Sequence, residues 1–288
     1  MTFCVRLTGL LFFFSLFSLG SYAASVFKVT NGENVTYIGG TLHILSEDDY
    51  PLPPEYSQAF EQSDTLVFET DLEELESPEF SKAMMASLTY NNGRTLADDL
   101  SPETFEKLST HLQSRGLSIS RFISFKPSLM SITLSMIELQ MMGLTEEGVD
   151  KYLFNQAQAA NKPIKWLETP QQQLSFIAHM GNGNEDEFIQ YTLDDIKTLH
   201  DALPALKESW KTGDLAGLYN ESLSDFAVQY PDVFDALLTT RNQNWMDFLI
   251  NSLSTSETEF ILVGALHLPG DTGILHLLEQ QGYSVKKL

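Results

Sequence analysis

Two histidines follow the same short pattern at opposite ends of the chain. Val35-Thr-Tyr-Ile-Gly-Gly-Thr-Leu-His43 is a largely apolar run, a glycine, two residues and a histidine, and Phe260-Ile-Leu-Val-Gly-Ala-Leu-His267 repeats it. A short apolar stretch bounded by glycine reads as a buried strand, and an imidazole just past its end lies where open α/β sheets place their ligand crevices. Two further expected strands run into carboxylates: Thr65-Leu-Val-Phe68 into Glu69, and Lys162-Pro-Ile-Lys-Trp-Leu167 into Glu168. If these strands run parallel, His43, Glu69, Glu168 and His267 all project toward one edge of a sheet. Two neutral imidazoles and a carboxylate form the ligand set of many catalytic zinc or manganese sites, with one position left for water. A cation held there would polarise a carbonyl and bring its bound water toward neutral pKa. Each residue alone also has a plain reading, as a hydrogen-bonded structural histidine or a helix-capping glutamate. The shared placement after apolar strands is what favours a site.

Arg241 is a separate clue. On a helix expected from about Pro231 to Leu253, the residues Phe234, Leu237, Leu238, Trp245 and Phe248 form an apolar stripe with Arg241 in its middle. A guanidinium there must snorkel outward or pair with a carboxylate. It is then either a structural ion pair or an electrophile facing Glu69 or Glu168 that stabilises developing negative charge. No His-Glu-Xaa-Xaa-His, Gly-Xaa-Ser-Xaa-Gly or phosphate-binding glycine loop is present.

The elements that must position these groups are legible in outline. Val26 to Thr30 and Asn34 to Gly40 read as a strand pair turned at Asn31-Gly32. A helix is expected from Pro51 to about Gln62, with proline in the first turn. Helical signals run from Pro102 to about Gln158 and again from Gln171 to about Ser254, followed by a last pair of strands, Glu259 to Val263 and Tyr283 to Val285, around a helix from Gly273 to Gln280. The expected fold class is α/β: a mixed central sheet built from both chain ends, with a large helical insertion at about residues 100–255.

Residues 1–23 read as a cleaved signal peptide. Arg6 precedes the short apolar core Leu10 to Leu19, and Ser21-Tyr-Ala23 supplies the small residues before cleavage. The one cysteine, Cys4, lies inside that segment, so residues 24–288 carry no thiol. An exported domain without disulfides fits the bacterial periplasm, or secretion from a bacterium, better than a eukaryotic secretory route. The formal net charge is −22. That balance argues against nucleic-acid binding and anionic membranes, which require basic surface. No stable membrane insertion is expected once the leader is gone, and the oligomeric state stays open.

Gly40-Thr-Leu-His43, Phe68-Glu-Thr-Asp71, Leu167-Glu-Thr169, Arg241-Asn242 and Val263-Gly-Ala-Leu-His-Leu-Pro-Gly270, in this order and spacing, resemble the TraB/GumN family over essentially the whole of residues 24–288. That family is similar to the Tiki metal-dependent proteases, whose site uses two Gly-Xaa-Xaa-His motifs and a glutamate. The resemblance implies His43, Glu69 and His267 as ligands of a divalent ion (Mn, Co or Zn), with Glu69 as ligand or general base. The same superfamily includes erythromycin esterases, in which two histidines, a glutamate and an arginine act in ester hydrolysis, and so it implies Arg241 as a fourth member. Glu168 joins this catalytic set with its role open. The implied function is a periplasmic metal-dependent hydrolase, a peptidase first, taking a peptide or small-molecule substrate. A non-catalytic protein holding a peptide or haem in the same crevice, or a metal-independent esterase, are the alternatives.

Overall fold

A computed structural model describes residues 24–288. The expected signal peptide, residues 1–23, lies outside the described residues. Eight strands are present in chain order: β1 (Val26–Asn31), β2 (Asn34–Thr41), β3 (Ile44–Leu45), β4 (Thr65–Phe68), β5 (Glu146–Glu147), β6 (Ile164–Trp166), β7 (Glu259–Gly264) and β8 (Ser284–Lys287). Six of them form one sheet in the order β6-β4-β7-β2-β1-β8. The neighbours β6, β4, β7 and β2 are parallel, and β1 runs antiparallel between β2 and β8. The fold is therefore mixed α/β, with both chain ends meeting in the centre of the sheet, where Thr41 of β2 pairs with Gly264 of β7.

Side chains alternate across the sheet as strand geometry requires. Leu66, Phe68, Phe260 and Leu262 join a core on one face with Tyr56 and Trp210. Val67, Ile261 and Val263 join a second core on the other face with Trp245 and Leu249. Continuous burial of Phe260 to Val263 on both faces explains why the run is apolar throughout rather than alternating. The helical region between β4 and β7 has its own core, in which Leu108 and Leu112 pack with Met130, Leu134 and Ile189.

The departures from expectation are local. The helix expected from Pro51 runs Pro54–Gln62. Proline disfavours α conformation in the residue before it, so Leu52-Pro53-Pro54 stays extended until its last proline. Within the helical insertion, β6 joins the main sheet as expected, but β5, which was not expected, pairs with β3. The last two strands are not paired with each other, because the helix Ile274–Gln280 carries the chain past β2 to the outer side of β1. Among the described residues, no helix is long and apolar enough to cross a membrane.

Candidate functional site

The four parallel strands end at one edge, and the chain beyond each delivers one of the sequence-predicted groups: Glu168 after β6, Glu69 after β4, His267 after β7 and His43 after β2. Backbone pairing continues past the strand ends, with Leu167 N donating to Phe68 O and Glu168 N to Glu69 O. The two carboxylates are thus fixed side by side. Arg241 reaches them from the helix Thr240–Ser252.

The Arg241 guanidinium is the hub. Nε donates to Glu168 Oε1 at 3.0 Å, and Nη2 lies 2.5 Å from both Glu168 Oε1 and Glu69 Oε2. Nη1 donates to Leu237 O at 3.2 Å and to His267 Nε2 at 3.1 Å. All five of its N–H groups therefore have an acceptor. Leu237 lies in a π-helical turn, Asp235–Thr239, in which Thr240 N bonds to Asp235 O. The wide turn loosens the ladder and leaves the Leu237 carbonyl to the side chain, a use of π segments common at functional sites. Trp245, one helical turn on, donates Nε1–H to Glu168 Oε2 at 3.2 Å and places its ring 4.8 Å from the guanidinium carbon and 4.6 Å from the His267 ring.

His267 is buried, and its tautomer follows from its neighbours. Asn242 Nδ2 donates to Thr272 O at 2.8 Å, which turns Asn242 Oδ1 toward His267 Nδ1 at 2.6 Å. Nδ1 must then carry the proton, and the Nε2 lone pair faces Glu69 and Arg241. Burial pushes the His267 pKa down to about 3, further than Glu69 can raise it, so the ring is neutral at physiological pH. Glu69 is ionised. Burial alone would raise its carboxyl, but His267, Arg241 and His43 together with the Gly264 N–H hold it down to about 2. Since His267 is neutral, Arg241, His43 and the 2.6 Å bond from Gly264 N to Oε1 carry that effect.

His43 stands at the rim with its side chain largely open to solvent and its Nδ1 3.0 Å from Asp150 Oδ1. The Asp150 carboxylate, against desolvation and with help from Glu69, raises the ring to about 9. Gly148 makes this pair possible, because any Cβ there would collide with the backbone of Leu42 and His43, and Val149 N bonds to Leu42 O.

The sequence-predicted ligands do converge. A methyl group placed on Gly264 would lie 3.2 Å from Glu69 Oε1, 3.6 Å from His267 Cδ2 and 3.9 Å from His43 Nε2. Glu69 Oε1 is 3.7 Å from His267 Nε2, within the span of two ligands on one ion with bonds of about 2.0–2.2 Å. Two imidazoles and a carboxylate are donors of a type that binds divalent cations. Among the described residues no three His, Cys, Asp or Glu groups are closed to coordination distance, and the Nε2 lone pair is occupied by Arg241.

Asn242, Asp150, Gly264 and Trp245 complete the site and were not singled out as site residues by the sequence. Asn242 had a usable signal, its position directly after Arg241 on the same helix. Asp150 had none, since only the fold brings it to His43.

The model of the TraB/PrgY/gumN family matches residues 25–287. Two proteins named "Uncharacterized protein YbaP", from Shigella flexneri and Escherichia coli (strain K12), are each 24% identical over 248 residues, covering 86% of this chain and 89% of theirs. No solved structure matches. With the match running from the first sheet strand to the last, the chain belongs to the TraB/PrgY/gumN family.

Proposed function

We propose that the protein is a metal-dependent hydrolase acting on peptides, working in the periplasm after loss of its leader. The observation that carries this reading is the small volume above Gly264 onto which Glu69 Oε1, His267 and His43 Nε2 all face within 4 Å. His43, Glu69 and His267 would hold the ion. A bound divalent cation supplies Lewis acidity and an activated water there.

The chain's own groups have distinct tasks. Glu69, ionised and buried, can accept a proton from an attacking water through Oε1. Glu168 and Leu237 O hold three of the five Arg241 donors, so the guanidinium stays in place when its remaining two, now on His267 Nε2 and Glu69 Oε2, turn to a substrate oxyanion. Glu168 is thus a positioning residue for Arg241. In this reading Arg241 would be a structural ion pair on its Glu168 side and an electrophile on the other.

A second reading, a metal-independent hydrolase, is favoured by the 3.1 Å bond between Arg241 Nη1 and His267 Nε2, which uses the lone pair an ion would need. The deciding experiment is elemental analysis of the protein after incubation with Mn²⁺, Co²⁺ or Zn²⁺, beside a folded His43→Ala/His267→Ala variant and turnover of a peptide library with and without chelator. About one equivalent of metal, lost in the variant, together with chelator-sensitive cleavage supports the proposal. Cleavage that persists in chelator sinks the metal-dependent reading, and absence of cleavage under every condition sinks the hydrolase.

A further inference from the structure

A groove of about 770 Å³ lies between the long helix Glu185–Thr212 and the helices Leu215–Ser222 and Ser224–Gln229. Leu266 forms part of its wall. The next residue is His267, so the groove opens beside the catalytic edge of the sheet.

Its lining is unusual in charge. Half-buried rings of Tyr191, Phe226 and Tyr230 form one wall, with Tyr191 and Tyr230 4.6 Å apart and Phe226 5.9 Å from Tyr191. Asp195 and Asp225 stand beside these rings, and neither is in an ion pair among the described residues. No lysine, arginine or histidine lines the groove among the described residues. Burial, with Asp195 and Asp225 adding, pushes the half-buried Tyr191 hydroxyl up to about 12.

Aromatic faces attract cations through the ring quadrupole, and unpaired carboxylates at the same wall add a Coulomb attraction of the same sign. A neutral ligand would gain nothing from the carboxylates, and an anionic one would be repelled. We infer that this groove is a specificity subsite that takes a lysine or arginine side chain of a peptide substrate, holding it between the Tyr191–Phe226–Tyr230 wall and Asp195 and Asp225 while the backbone runs past Leu266 to the Gly264 edge. The inference rests on the hydrolase reading for the substrate's identity as a peptide. Its recognition chemistry stands apart from turnover.

The test is binding, measured by fluorescence anisotropy at low and moderate salt with two labelled octapeptides that differ only in carrying two lysines or two glutamates. A Glu69→Gln background prevents cleavage during the measurement. The lysine peptide is expected to bind about tenfold tighter, from two weak charge pairs and one cation–π contact. Asp195→Asn/Asp225→Asn should remove most of that preference, and Tyr191→Leu should weaken it severalfold. A control, Glu33→Gln/Glu61→Gln, deletes the same number of charges from exposed sites elsewhere and should leave binding unchanged. Both aspartates are exposed on helices, so the variants are expected to fold, which melting curves confirm. Equal binding of both peptides, or equal loss in the groove and control variants, overturns the inference. Selective binding by a protein that cleaves nothing under any condition would uphold the groove and defeat the hydrolase reading.

Discussion

Asn242 and His267 share a 2.6 Å hydrogen bond that decides which nitrogen of the ring faces the site. The asparagine amide cannot turn over, because its Nδ2 is committed to the carbonyls of Thr272 and His267. Removing it in Asn242→Ala frees the ring to rotate and to exchange tautomers. Turnover or metal affinity should fall about 10–100-fold, the usual effect of losing a residue that orients a histidine ligand. The ¹⁵N shifts of His267 should move from one tautomer toward a mixture. Unchanged shifts in the variant would show that the asparagine does not set the tautomer.

Gly264 offers a sharper separation of site from scaffold. Its backbone, at φ −48° and ψ 134°, suits any residue, so Gly264→Ala creates no strain. The new methyl would nevertheless sit 3.2 Å from Glu69 Oε1, in the space the three groups share. Activity should fall by about 10²-fold, as for a misplacement of roughly 1 Å, with melting within a few degrees of wild type. A fully active Gly264→Ala would place the chemistry elsewhere.

Arg241 is expected to matter to stability as much as to chemistry. Arg241→Ala leaves Glu69 and Glu168 buried beside each other without their shared cation, which should cost about 3–5 kcal/mol. Arg241→Ala/Glu168→Gln removes one of the two charges and should recover part of that loss without recovering activity. Urea denaturation of the single and double variants measures the coupling. Simple additivity would mean that the pair is energetically independent.

Asp49 provides a pH-dependent test outside the site. It is buried beneath Lys207 and Lys211 of the long helix. Burial alone would raise its carboxyl, but the two lysines and Ser46 hold it well below the usual carboxylate range. A depressed folded-state pKa contributes stability above the unfolded value, about 3.9, which is lost as pH falls through the folded one. Asp49→Asn should therefore lower the melting temperature at pH 7, and the gap to wild type should narrow as the pH is lowered below about 4. A gap that is constant from pH 7 to pH 3 would show that the ion pairs contribute nothing.

How much of this could be read from residues alone follows from which signals are local. Val35 to Thr41 and Phe260 to Gly264 announce themselves because strands buried on both faces must be apolar throughout, and the glycine near the end of each run leaves room for the groups packed at the sheet edge. Glu69 was recognisable for the same reason, sitting directly past the buried strand β4, whereas Glu168 follows the half-exposed edge strand β6. The parallel direction of those strands, on which the convergence depends, has no local signature. It is set by crossovers, two of which, from β4 to β6 and from β6 to β7, pass through the long helical region. The π turn that frees Leu237 O was also hidden, since its sequence, Asp235-Ala-Leu-Leu-Thr239, suits an ordinary helix. Asp150 was illegible because its relation to His43 depends on Gly148 passing the His43 backbone.

The pairing of β2 with β7 joins the first part of the described chain to the last. A ribosome must therefore complete nearly the whole polypeptide before His43 and His267 can meet, and until then β2 and β4 each present a bare, apolar edge where β7 belongs. Such a chain folds slowly and depends on being kept from its own kind while it waits. Truncation before Glu259 should give aggregates rather than a weak enzyme, because the strand that delivers His267 is also the one that closes the sheet.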